Sequence, residues 1–243
     1  MTWTDVIGVV VAVGLAATVQ LAAGFGFAMA AAPLMAIALD PHDAVVVSLC
    51  LATLTNSYQA WTGRRDLDRS VGGRLILGAA LGLPIGLLVF LVADDRWLAV
   101  VIGVTVLVAV VLIARGLDLR HSGPGLDVAG GVVSGALTLS AGINGPPLVF
   151  VLQARHFSPA SFRSTITTVF TTLDVVAVII FTITGDLDRD VLVAVAVALP
   201  ALALGARAGI AVRGHLDPAR FRRLVLGLLV VAGVSTLVSA ALR

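Results

Sequence analysis

Residues 6 to 39 carry no charged side chain, and this single run constrains the chain more than anything else in it. As one helix it would be about 51 Å long at about 1.5 Å per residue, whereas a hydrocarbon core is about 30 Å thick. Gly24-Phe25-Gly26 lies inside the run, and a break is expected there. A second run, 128 to 154, contains Ala141-Gly142-Ile143-Asn144-Gly145-Pro146-Pro147. Gly-Pro-Pro removes backbone donors and clashes with the preceding turn, so a helix is expected to stop at it.

Uncharged runs also cover 44 to 63, 75 to 93, 97 to 114 and 224 to 242, while 160 to 184 is interrupted by Arg163 and Asp174 and 191 to 212 by Arg207. A spanning helix needs about 20 apolar residues, so most of these read as single crossings of a lipid bilayer. With 59% apolar residues, 12% charged and a mean hydropathy of +1.07, against about 25% charged in soluble domains, a soluble fold is excluded. The net charge of +2 is small and the arginines are scattered, which argues against a nucleic-acid partner. No arginine precedes the first apolar run, so a secretory n-region is missing and residue 1 reads as the mature start.

Catalytic signals are lacking. The single Cys50 excludes an internal disulfide or a cysteine metal cluster. Histidines 42, 121, 156 and 215 fall in loops without His-Glu-x-x-His spacing. There is no Gly-x-Ser-x-Gly elbow, and Asp174 has no second acid at membrane depth. Neither an enzyme nor a bound cofactor is expected, and without a Gly-x-x-x-x-Gly-Lys loop no ATP drives the chain.

The two halves resemble each other. Ala23-Gly24 recurs as Ala141-Gly142 and Pro41 as Pro159 at an offset of 118, which sets Asn56 on Asp174. Asp66-Leu67-Asp68-Arg69 recurs as Asp186-Leu187-Asp188-Arg189 at 120, Gly82 and Gly86 as Gly205 and Gly209 at 123, and Gly103 as Gly227 at 124. A slowly growing offset is what loop insertions do to a duplication. Residues 1 to 120 and 121 to 243 thus read as two membrane repeats.

Arginine placement orients them, because cytoplasmic loops collect basic residues. If each broken run returns to the side it entered from, thirteen of the sixteen arginines share one face and Arg96, Arg189 and Arg243 lie on the other. If each crosses once, the arginines divide evenly. The hairpin arrangement gives each half three crossings plus a hairpin, an odd number, so the halves are inverted. The expected fold is all-α and polytopic, with about eight hydrophobic segments in two inverted repeats.

Two interrupted helices at matching places in inverted halves point to a transporter's binding site. The first supplies Gly24, Phe25 and Gly26, the second Gly142, Asn144, Gly145 and Pro146. Helix N-termini after each break would attract an anion through their free N–H groups; the alternative is that the glycines only allow close packing. Along 160 to 184, Arg163, Thr167, Thr171 and Asp174 form one polar stripe reaching into the apolar layer. Arg163 is a candidate oxyanion ligand, or else snorkels to the cytoplasmic face. Asp174 is its counter-ion, a proton-coupling carboxyl, or a structural acid. Asn56, with Thr53 and Gln59 on the same helix face, supplies neutral donors, and Gln20 is a weaker candidate. Gly78, Gly82 and Gly86, with Gly205 and Gly209, read as helix-packing surfaces.

Gly24-Phe25-Gly26-Phe27 with Pro33, the turn from Pro41 to Ala44, and Ser140 to Pro147 with Phe162-Arg163 together resemble the TauE/SafE family of membrane anion permeases. The first segment departs from many members in carrying phenylalanines where they have further glycines. The resemblance implies secondary transport of sulfite, sulfonates or related organosulfur anions, often as export. The expected partners are then a small anionic substrate, the lipid bilayer and, as a coupling ion, protons; self-assembly as a homo-oligomer is compatible with such a chain. A scaffold subunit that transports nothing and a passive anion channel are the competing readings.

Overall fold

The computed structural model describes residues 3–115, 123–153, 157–212 and 218–242. Among them every regular element is helical: α1 (Trp3–Ala23), α2 (Phe27–Ala38), α3 (Pro41–Gly63), α4 (Arg69–Val92), α5 (Asp95–Arg115), α6 (Pro124–Ala141), α7 (Gly145–Gln153), α8 (Pro159–Thr184), α9 (Arg189–Val212) and α10 (Pro218–Leu242), with a 3-10 turn at Arg64–Asp66. Arg120, Arg155, Arg213 and Arg243, with His121, His156 and His215, lie outside the described residues.

Both long apolar runs break, and glycine is the reason. Gly24 (φ 93°) and Gly26 (φ 105°) separate α1 from α2, and Gly142 (φ 67°) ends α6. These are left-handed conformations that side chains other than glycine rarely adopt. Gly142 N–H donates to the Thr138 carbonyl at 3.1 Å and Ile143 N–H to that of Leu137 at 3.2 Å, so the last turn of α6 is closed. The proline pair acts otherwise than expected. Pro146 and Pro147 do not stop a helix but stand in the first turn of α7, where a missing N–H has no intrahelical acceptor to disappoint. Each break thus joins a long limb to a short one: 21 and 12 residues for α1 and α2, 18 and 9 for α6 and α7.

Four of the described helices are long and apolar enough to cross a membrane, over Thr4–Ala22, Arg69–Val92, Ala160–Thr184 and Arg189–Val212. Their outward faces carry exposed Ile7, Leu77, Leu81, Ile183 and Leu204, a surface that lipid would cover.

Backbone-on-backbone packing holds the bundle. α4 lies on α6 because glycines on both helices face carbonyls: a methyl on Gly82 would strike the Val132 oxygen, one on Gly86 that of Ala136, and one on Gly135 that of Ala79. α9 meets α1 likewise, Gly205 against the Gly14 oxygen and Gly209 against that of Thr18, and Thr18 Oγ1 donates across to the Gly205 carbonyl at 3.2 Å. Without apolar attraction between helices in lipid, such close approach supplies the dispersion contacts that hold them together. α3 packs on α8 and α5 on α10. At one end of the bundle Asp68 N–H donates to Thr165 Oγ1 at 3.1 Å, and Arg74 Nε to Asp127 Oδ2 at 2.7 Å. At the other, His42 contacts Asp95 Oδ1 at 2.8 Å and the Phe90 carbonyl at 3.0 Å.

Gly82→Ala is expected to lower the thermal midpoint of the detergent-purified protein by several degrees, because Cβ would meet backbone that cannot yield. Gly73→Ala, where a Cβ meets nothing within 4 Å, should leave the midpoint unchanged or raise it, since alanine is the better helix former by about 1 kcal/mol.

Candidate functional site

One buried chain of hydrogen bonds connects the two breaks. Gln20 sits one turn before the first break, and its Oε1 accepts the N–H of Phe27 at 2.8 Å. The side chain of the long limb therefore satisfies an orphan donor at the start of the short limb. Gln20 Nε2 donates to Asn56 Oδ1 at 2.7 Å, and Asn56 Nδ2 donates to Asp174 Oδ2 at 2.7 Å. From the other side Asn144 Nδ2 donates to Asp174 Oδ1 at 2.8 Å, and the Asn144 carbonyl accepts from Ser134 Oγ at 2.8 Å. Gln20, Asn56, Asn144 and Asp174 are between 0% and 4% exposed. A carboxylate at one end only accepts and the Phe27 N–H at the other only donates, so the two amides between them have a single orientation that satisfies all. An isolated charge at this depth would cost at least about 2.5 kcal/mol; hydrogen bonds from the two asparagines reduce that cost.

Between the breaks lies a void of about 10 Å³, bordered by Gln20, Gly26, Phe27, Asn56, Asn144 and Gly145, room for about one water. Toward the end of the bundle that carries Arg64 and Arg74 the molecule is hollow. A vestibule of about 280 Å³ is lined by Tyr58, Gln59, Asp66, Arg163, Ser164 and Thr167, with Leu21 and Ile210 as its apolar wall.

Glycine conformation ties the first break to this vestibule. A Cβ on Gly24 would lie 2.6 Å from Arg163 Cδ and 2.9 Å from Cγ, so only glycine lets the arginine stem cross the break. Phe25 packs edge-on against Phe162, centroids 6.1 Å apart. The second break has a different neighbour. A Cβ on Gly142 would lie 2.9 Å from Ser48 Oγ and 3.3 Å from Val45 Cα, and both of those residues are fully buried.

The expected site residues thus fall into groups. Asn56, Asn144 and Asp174 share the central network; Gly26 and Gly145 border its void; Arg163 and Thr167 line the vestibule, which Gly24 and Phe25 abut through Arg163 and Phe162. Pro146 is buried at the start of α7 and Gly142 is packed on α3. Thr171 does not join them. Its hydroxyl donates to the Thr167 carbonyl at 2.8 Å, and it borders neither the void nor the vestibule. Arg163 and Asp174 are not an ion pair: eleven residues apart on α8, about 16 Å at about 1.5 Å per residue, they serve separate regions, and Asp174 takes its donors from two asparagines. Gln20, the weaker candidate, is central. Its signal was an amide inside an otherwise apolar segment. Ser134 and Ser164 went unnoticed because a lone serine in a helix is an ordinary packing residue.

An apolar helical bundle with a buried polar centre between two broken helices defines the class: a polytopic membrane protein. The comparisons sharpen this. The chain belongs to the sulfite exporter TauE/SafE family, whose model it matches over residues 9–236. It is 28% identical over 231 residues, 91% of this chain and 89% of the relative, to a Cupriavidus necator protein named "Probable sulfite/organosulfonate exporter TauE". It is also 28% identical over 166 residues, 67% of this chain and 70% of the relative, to a Comamonas testosteroni protein named "Probable inner membrane transporter protein TsaS". No solved structure matches. As a member of this family with several apolar helices, the protein is a multi-pass membrane protein of a transporter family and not an enzyme.

Asn144→Ala removes one donor from the buried Asp174 carboxyl. It is expected to destabilise the protein by about 1–3 kcal/mol, read as a lower thermal midpoint in detergent; an unchanged midpoint would mean that the network contributes nothing to the fold.

Proposed function

We propose that the chain is a secondary transporter of a small oxyanion, built of two inverted repeats and working by alternating access around the two breaks. One observation carries the reading: both breaks are tied through amides to the single carboxyl of Asp174, while their surroundings differ. At the offset of 118 that relates Gly24 to Gly142, Arg163 corresponds to Val45. Gly24 therefore meets Arg163 beside an open vestibule, and Gly142 meets Val45 in packed protein. An exchange of these two environments would close one face and open the other, which is what alternating access requires.

The helix pairings favour two repeats, 1–120 and 121–243, related by a pseudo-two-fold exchange. Exchanging α1 to α5 with α6 to α10 turns the α4–α6 contact into α9–α1 and α1–α2 into α6–α7, and leaves α3–α8 and α5–α10 as they are. Arg64, Arg65, Arg69 and Arg74 cluster at the vestibule end, so this face is cytoplasmic by the positive-inside tendency. The chain is then open to the cytoplasm, in the inner membrane of a bacterial cell. A central void of about 10 Å³ leaves no continuous pore and speaks against a passive channel.

The family's description and the name of the Cupriavidus relative supply the substrate class for this chain: sulfite or an organosulfonate. Exit of such an anion is favoured by an inside-negative potential, about 2.3 kcal/mol per charge per 100 mV, so export needs no coupling ion. If protons are coupled, Asp174 is their carrier, because its carboxyl joins both breaks.

The test is counterflow in proteoliposomes with labelled sulfite, a short alkyl sulfonate and a carboxylate control. Saturable, counterflow-competent flux is expected for the sulfur oxyanions, with Arg163→Ala raising KM about tenfold or more through loss of a charge-assisted contact. Asp174→Asn is expected to abolish the response of flux to a pH gradient while sulfite binding persists. No flux for any anion would favour a scaffold role, and large unitary currents would favour a channel.

A further inference from the structure

α8 is rich in hydroxyls, and most of those in its first half follow a common pattern that Ser164, in the vestibule wall, does not. Thr167, Thr168, Thr171 and Thr172 each donate to the carbonyl four residues back, at 2.7 to 3.0 Å, the usual way a hydroxyl is satisfied inside a membrane helix. Ser164 does not. Its Oγ is buried, the residue is 2% exposed, and it has no hydrogen-bond partner among the described residues. Gln59 Nε2, on the facing helix α3, is buried and unpartnered in the same way. Both residues line the vestibule that Arg163 lines. A buried donor left unpaired costs about 1–3 kcal/mol, and two of them at the wall of one hollow call for a common acceptor.

The acceptor should be anionic. Arg163 makes no ion pair among the described residues and brings a planar fork of donors that suits an oxyanion. Among the described residues the only acid lining the vestibule is Asp66, exposed in the 3-10 turn at its rim. Symmetry gives an independent argument. At the offset of 118, Arg163, Ser164 and Gln59 correspond to Val45, Val46 and Ala177, each at most 1% exposed in the core. Packing at these places is therefore accomplished by apolar residues in one half, and the polar set in the other needs a separate reason.

Resting on the transport reading above, we infer that Arg163, Gln59 and Ser164 form an oxyanion capture site in the vestibule, separate from the central network and present on one face of the protein only. The sulfo group, whether of sulfite or of an alkyl sulfonate, would take the guanidinium fork together with the Gln59 amide and the Ser164 hydroxyl. An alkyl chain, where there is one, would lie along Leu21 and Ile210. Captured anion stands next to Gly24 through the Arg163 stem, at the point where the first break can respond to it.

The experiment measures the thermal midpoint of the purified full chain against rising sulfite and, separately, methanesulfonate, with sodium chloride holding ionic strength constant. Ser164→Ala and Gln59→Leu are expected to raise the half-saturating concentration of either anion roughly tenfold, as for loss of a hydrogen bond to a charged group. Ser164→Thr should retain binding. Without ligand, both variants should be as stable as the parent or more so, because each deletes an unsatisfied donor; a packing role predicts instead a lower midpoint and unchanged anion affinity. Parent protein that transports sulfite while both variants bind it as the parent does would overturn the capture site and leave the transport reading intact. Absence of flux in the parent overturns that reading itself. A rise with methanesulfonate alone would assign the site to organosulfonates, and with sulfite alone to the inorganic anion.

Discussion

The structure depends on a carboxyl group kept inside an apolar bundle. Both oxygens of Asp174 accept amide hydrogens, one from Asn56 and one from Asn144, and through Asn56 and Gln20 the chain of bonds reaches the first N–H of α2. Irregular backbone at membrane depth survives only where its polar groups find partners. Here the partner for one broken helix is reached through the same acid that holds the other. The two breaks therefore share one acceptor.

Around this centre the bundle is held by close backbone approach more than by large side chains. The glycine seams of α4 on α6 and of α9 on α1 bind one helix from each half of the chain to the long limb of a broken helix in the other. Such seams tolerate little change in separation, since carbonyl oxygens already touch the glycine faces. The two breaks have unequal neighbours: Gly24 meets Arg163 beside the vestibule, and Gly142 meets Val45 in packed protein.

Much of this was readable in order of residues. The break at Gly24 to Gly26 followed from a run too long for a bilayer, and the seams from glycine spacing; the repeat offset made Asn56 and Asp174 equivalent positions, and only the structure brings them into a hydrogen bond. Sequence misread the proline pair, because proline's effect depends on whether it falls at the end or in the first turn of a helix, and that depended on Gly142 ending α6 first. Of the roles it left open for Asp174, the counter-ion to Arg163 is set aside, since a stripe on one helix gives periodicity but not the neighbours that divide it.

By itself, then, the sequence determined that the chain is helical, lives in lipid, breaks twice and carries a few polar groups at depth, because hydrophobic length and glycine conformation are local properties. Tertiary structure alone decided which of those groups act together. Gln20 became central, Thr171 did not, and Ser164 and Gln59 were left facing a hollow with Arg163. Hydrogen-bond satisfaction in a membrane interior is a relation between helices far apart in the chain, and no local pattern records it.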